Sequence, residues 1–206
     1  MATATTLGSP VNIVEGIRAI AAREAASGAP YLGSRLDDAI ATLLGPGIGD
    51  ILEKFYRQYV IRIGGQGLVH DAERLRWLKQ LDIAAAPELL ALIPASGHVV
   101  LVCRHWACND EQMVPVADQT HLVTPEATRR FQRDMQVLAD HGKFHAFAGR
   151  GLHHWFIGET SGTIVLSDWT VLRPLDPRDR AEVLGAVDRQ LARLARDVTL
   201  DERDPG

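Results

Sequence analysis

Cysteine is almost absent: Cys103 and Cys108 are the only two in 206 residues. Two thiols cannot build the disulfide framework of a small secreted domain, so stability has to come from a buried core. Lysine is nearly as scarce, with three residues against nineteen arginines in an Ala-rich chain. That bias suggests a GC-rich bacterial genome and carries no mechanistic weight. Long apolar runs are missing too, since stretches such as Val99 to Cys103 fall far short of the ~18 residues that span a bilayer. Met1 to Thr6 contains no basic segment ahead of an apolar core, which argues against a signal peptide. Residues 1–8 are expected to form a disordered leader, and the cytoplasm is the expected compartment. A net charge of only −4, from 22 basic and 26 acidic residues, points away from a nucleic-acid partner. No GxSxG elbow, HExxH pair, DxDxDG loop or CxxC motif occurs, so the common signatures of nucleophilic and metal chemistry are absent.

What remains is material for a core. Hydrophobic residues make up 46% of the chain, and a chain of this size buries roughly 70% of its unfolded surface. The first half reads as helical. Ser9-Pro10 supplies an N-cap and a proline at N1, with Ile13, Ile17, Ile20 and Ala21 at helical spacing. Ser34 to Asp37 resembles a capping box ahead of Leu36, Ile40, Leu43 and Leu44. Asp50 and Glu53 open a further helical face through Leu52, Phe55, Tyr56 and Tyr59. Val60 to Ile63 is expected to be a short strand, and Asp71 to Leu81 and Pro87 to Ile93 two shorter helices.

From His98 the period changes to two. His98 to Ala107 reads as a strand, paired through an Asn109-Asp110 turn with Gln112 to Val116. Phe144 to Phe147, Leu152 to Ile157 and Thr163 to Leu166 are further strands, the last two joined by the loop from Gly158 to Gly162. Thr124-Pro125 and Asp176-Pro177 open two helices. The expected class is α+β: a helical N-terminal half (9–93) packed beside a mainly antiparallel sheet (98–169) with an inserted helix (124–141), closed by a C-terminal helix (176–198). A single domain over 9–200 with a tail at 201–206 is the expected organisation.

Candidate chemistry gathers where strand 98–107 leaves the core. Arg104, His105, Trp106, Asn109, Asp110 and Glu111 fall within eight residues. Polar groups held by a rigid strand often line a cleft. His105 suits proton transfer near neutral pH, with Asp110 or Glu111 orienting its ring, Arg104 contacting an anion, and His154 as a second polar group. Trp106, Trp155 and Trp169 are candidate walls of a substrate pocket. On a strand, His153 and His154 would face opposite ways. No cofactor is expected. A metal is the variant, with Cys103, His105 and His154 as its ligands, though their spacing fits no common zinc signature. Ile63 to Gly67 is better read as a tight turn than as a phosphate cradle, because it matches no phosphate-loop pattern.

Trp155 to Gly158, then Gly162 to Leu166 and a terminal helix, resembles the strand–turn–strand part of one group of bacterial toxin-immunity proteins, over about 20 residues. That resemblance implies a non-catalytic module. Two readings follow. One is a small bacterial enzyme with an aromatic-walled pocket, using histidine acid–base chemistry on a small organic substrate. The other is a protein-binding module of immunity or adaptor type, with Arg104, Trp106 and Trp155 as interface anchors.

Overall fold

The computed structural model describes residues 10–26, 41–42, 48–49, 53–56, 59–95, 97–104 and 113–201. The fold is mixed α+β, and all strand pairings among the described residues are antiparallel. None of the described helices is long and apolar enough to cross a membrane. Two compact units divide the chain, residues 1–74 with 88–105 and residues 75–87 with 106–206.

In the first unit the strands are β1 (Ile48–Gly49), β2 (Glu53–Tyr56), β3 (Tyr59–Gly64), β4 (Glu88–Ala95) and β5 (His98–Arg104). They form one sheet in the order β1-β2-β3-β5-β4. Helix α1 (Pro10–Ala26) lies against β4. Its Ile13, Ile17, Ile20 and Ala21 recur every three or four residues and form one apolar stripe. Tyr59, Ile61 and Ile63 alternate along β3, so all three meet that stripe from one sheet face. Strand β5 is buried from Val100 to Cys103 without alternation, as a strand covered on both faces requires. Helix α2 (Gly67–Gln80) starts earlier than Asp71. The N–H groups of Leu68 and Val69 donate to the carbonyls of Gly65 and Gln66, which makes the glycine stretch a strand-to-helix turn.

Three local expectations are corrected. Glu53–Tyr56 and the start of β3 are strand, not helix, because pairing of Phe55 with Val60 and of Tyr56 with Tyr59 exploits the β preference of aromatic and β-branched residues. Residues 88–95 are likewise strand β4. Their leucines favour a helix in isolation, but registry with β5 overrides propensity. Strand β5 does not form a hairpin with the segment after residue 112. It pairs with β3 and β4, whereas β6 (Met113–Pro115) pairs with β8 (Trp155–Gly158). The helix expected at Leu36 to Leu44 lies outside the described residues except for helical residues 41–42.

The second unit contains a β6-β8-β9 sheet, with β9 spanning Ile164–Leu166, and a pair formed by β7 (Lys143–His145) and β10 (Leu172–Pro174). Helix α3 (Pro125–Asp140) begins as its sequence dictates. The Thr124 hydroxyl accepts the Ala127 N–H at 3.1 Å, and Pro125 occupies the first helical position. Its buried stripe runs through Ala127, Phe131, Met135 and Leu138, with the carboxylate of Asp134 set inside it. Helix α4 (Arg180–Asp201) is tied to α3 by Gln132–Asp188 and Arg180–Asp140 contacts at 2.8 and 2.6 Å. Asp176 accepts the Arg178 N–H in a turn ahead of α4, so the helix starts at Arg180 rather than at Asp176.

Candidate functional site

Of the sequence candidates, His105, Trp106, Asp110 and Glu111, together with Cys108, lie outside the described residues. Arg104 ends β5 in the first unit. Its guanidinium reaches Glu88 at 3.8 Å, while Nε is buried with no hydrogen-bond partner among the described residues. Cys103 is buried in the same strand. Among the described residues no three His, Cys, Asp or Glu side chains are placed to hold a metal ion.

The remaining candidates stand in the second unit. Trp155 and Trp169 are 0% and 5% exposed. The Trp155 indole N–H points to the Phe147 carbonyl at 3.5 Å, and that of Trp169 is shared between the carbonyls of Leu166 and Ala85 at 3.0 and 3.1 Å. Both rings are built into the core.

Leu152–His154 is a turn of 3-10 helix rather than strand. It follows Gly151, whose φ of +148° suits a residue without Cβ. The turn removes the opposite-facing geometry expected of His153 and His154: their rings lie 4.3 Å apart. His154 also stacks on Phe147 at 3.8 Å with planes 9° apart, and its Nδ1 lies 3.1 Å from the Ser167 hydroxyl. Burial and then the neighbouring His153 hold the His154 ring below the ordinary histidine pKa, with Asp168 opposing. Asp168 adopts a left-handed conformation and caps the turn at Trp169–Val171 by accepting the Thr170 N–H. Deeper lies His145, whose Nδ1 accepts the Phe147 N–H at 3.3 Å and whose ring meets Trp169 edge-on at 4.8 Å. Burial depresses its pKa to about 4; backbone groups of Asp168 and Ser167 pull the other way, yet Nε2 makes no hydrogen bond among the described residues.

The residue that sequence reasoning missed is Asp134. It is fully buried. Its Oδ2 accepts the Ala85 N–H at 2.8 Å, while Oδ1 makes no hydrogen bond among the described residues and lies 3.6 Å from the Arg133 guanidinium. Desolvation raises its pKa to about 6, against the lowering effects of Ala85, Arg133, Ala84 and Arg130. Asp134 borders a cleft of about 120 Å³, shared with Thr124, Glu126, Arg130, Ser161 and Thr163. The far side of the cleft is the loop between β8 and β9. There Gly162, at φ +63°, returns its N–H to the Gly158 carbonyl, and the Ser161 hydroxyl bonds both the hydroxyl and the N–H of Thr163. Neither a histidine nor a tryptophan borders this cleft. A buried carboxyl that titrates near neutrality in a polar concavity can accept or donate a proton and can hold a cation.

No protein-family model matches the chain, and no curated protein sequence matches it. Among solved structures the chain is similar to a divergent kinase lacking the glycine-rich loop, which regulates membrane ultrastructure of the Toxoplasma parasitophorous vacuole. The identity is 12%, the match covers 90% of this chain and 76% of that one, and the TM-score is 0.43. A likeness at that level carries no argument about this chain's chemistry.

Proposed function

We propose that this protein is a small cytoplasmic enzyme of bacterial type that performs acid–base chemistry on a small organic substrate, with Asp134 as the proton-transfer group. One observation carries the reading: a fully buried carboxyl, with one oxygen that makes no hydrogen bond among the described residues, borders a polar cleft. Its pKa near 6 keeps both protonation states accessible at neutral pH. Arg130 is the anion contact in the same cleft, and no cofactor enters the scheme. The test is turnover of the full chain against a panel of small esters, amides and phosphate monoesters, repeated with Asp134→Asn. The substitution is expected to cost about 10²–10⁴-fold, and the wild-type pH–rate profile to inflect near 6. Unchanged turnover in D134N, or a profile flat from about pH 5 to 7, overturns it.

A second reading keeps the chemistry on histidine. It is favoured by the neutral His154 ring, held between Phe147 and the Ser167 hydroxyl with His153 alongside. Turnover lost in His154→Ala and retained in D134N would select it. The protein-binding module is the third reading, and the burial of Trp155 takes one of its aromatic anchors away.

A further inference from the structure

We propose that His153 and His154 form a binding site for a divalent copper or nickel ion, with their two imidazoles in adjacent coordination positions and water in the others. The site lies apart from the Asp134 cleft, which no histidine borders, so it stands or falls independently of the role given to that carboxyl.

Three observations carry it. The first is that the two rings meet at all. Consecutive side chains on a 3-10 turn diverge by roughly 120°, yet these ring centres are 4.3 Å apart, with planes at 53°. With metal–nitrogen bonds of about 2.0 Å, two imidazoles bound at a right angle have centres roughly 4.5 Å apart, and tetrahedral positions need roughly 5.1 Å. The observed spacing fits the right angle. Tetragonal sites with nitrogen and oxygen ligands suit Cu(II) and Ni(II) better than zinc. The second observation is the hydrogen bonding of His154. Its Nδ1 lies 3.1 Å from the Ser167 hydroxyl, and its Nε2 has no hydrogen-bond partner among the described residues. A metal-binding histidine characteristically donates its other ring N–H to a second group, which fixes the tautomer. With Nδ1–H given to Ser167, Nε2 carries the lone pair that an ion needs. The stack on Phe147, at 3.8 Å and 9° from parallel, already holds this ring, so little freedom is left to lose on binding. The third is the seat of His153. A Cβ at Gly151 would lie 3.1 Å from its Nδ1, so the ring rests against a residue with no side chain to displace it, while remaining exposed to ions from solvent. Asp168 is the acidic group whose charge acts on His154, and it favours a cation here. No third His, Cys, Asp or Glu side chain stands alongside among the described residues, which leaves the other positions to water.

The probe is copper(II) chloride, titrated into the full chain at about pH 7.5, where an ordinary histidine is neutral. Electron paramagnetic resonance should show two imidazole nitrogens in the plane of the first ion bound. The same equivalent should broaden the backbone amides of His153, His154 and Ser167 before any others. His153→Ala and His154→Ala should each lose roughly tenfold or more in affinity and leave a single imidazole in the spectrum. Ser167→Ala keeps both rings and removes only the partner of Nδ1; it should weaken binding by about 10–100-fold, an effect that a chance pair of surface histidines would not show. His70→Ala and His98→Ala, at other histidines, should bind as the wild type does. Unchanged tryptophan emission shows that each variant is folded, and His153→Ala, which removes an exposed ring, keeps the test open if His154→Ala is not. A single nitrogen in the wild-type spectrum, first broadening elsewhere in the chain, or wild-type affinity in His153→Ala or Ser167→Ala means an adventitious ion only and overturns the proposal.

Discussion

Replacing Asp134 with asparagine should stabilise the second unit at alkaline pH and leave it unchanged in acid. The carboxyl titrates near 3.8 in the unfolded chain and near 6 in the folded one, chiefly because burial penalises its charge. A folded pKa above the unfolded one means that the native state prefers the protonated acid. Its favourable contribution is complete below about pH 3.8 and disappears as pH rises through 6. The difference of about two pKa units, at 1.36 kcal/mol each, sets an upper bound of about 3 kcal/mol. Asparagine mimics the neutral acid at every pH and can still accept the Ala85 N–H, so the variant recovers that amount where the wild type is ionised. Urea unfolding at pH 3.5, 6 and 8 measures it, followed by tryptophan fluorescence; Trp155 is a local reporter, with its ring 4.5 Å from that of Phe131, one turn before Asp134. A gain of about 2–3 kcal/mol at pH 8 that vanishes at pH 3.5 is expected. A loss of similar size at every pH would refute the reasoning, since it would mean that Asp134 acts as an ordinary ionised tether.

His145 should act with the opposite sign. Its folded pKa of about 4 lies below the ordinary 6.5, so stability is complete above 6.5 and declines toward pH 4, by up to about 3 kcal/mol. His145→Phe should abolish that part of the acid sensitivity in urea titrations at pH 7 and 4. Ile17→Ala removes a side chain with 0% exposure from the stripe of α1 and should cost the first unit about 3 kcal/mol by denaturant unfolding. Gly151→Ala would bring a Cβ within 3.1 Å of the His153 ring at a φ of +148°. It should destabilise by about 1–3 kcal/mol and shift the NMR titration of His154.

Signals confined to a few neighbouring residues were the legible ones. Thr124-Pro125 caps α3 as read, and the Gly158 to Gly162 loop joins β8 to β9 as read, because hydroxyl, proline and glycine chemistry acts within one turn. Leu52, Phe55, Tyr56 and Tyr59 have a helical period by spacing alone. The strand state of Phe55, Tyr56 and Tyr59 comes from partners across the sheet, which no local window contains. The same holds for β4, whose leucines are assigned by β5. In the candidate site, His154 was legible as a residue worth naming, but its contact with His153 was not, since that depends on the turn set by Gly151. Asp134 had a signal that went unread. A carboxylate three residues after Phe131 and four before Leu138, beside Met135, occupies a core position of an amphipathic helix, and a lone buried acid is among the more informative anomalies a sequence can show.

Ala85 gives its N–H to Asp134 and its carbonyl to both the Leu166 N–H and the Trp169 indole. The segment between α2 and β4 is therefore fastened through the main chain of one residue, with a methyl group as its only side chain. Its amide hydrogen becomes a built-in gauge. Exchange with solvent requires release from the Asp134 oxygen, and a neutral acid holds an N–H less strongly than a carboxylate does. Once the intrinsic pH dependence of exchange is divided out, protection at Ala85 should step downward as the solution is acidified through the Asp134 titration. The protonation state of a buried side chain can thus be followed from the lifetime of a single backbone proton, without a label, a ligand or a known reaction.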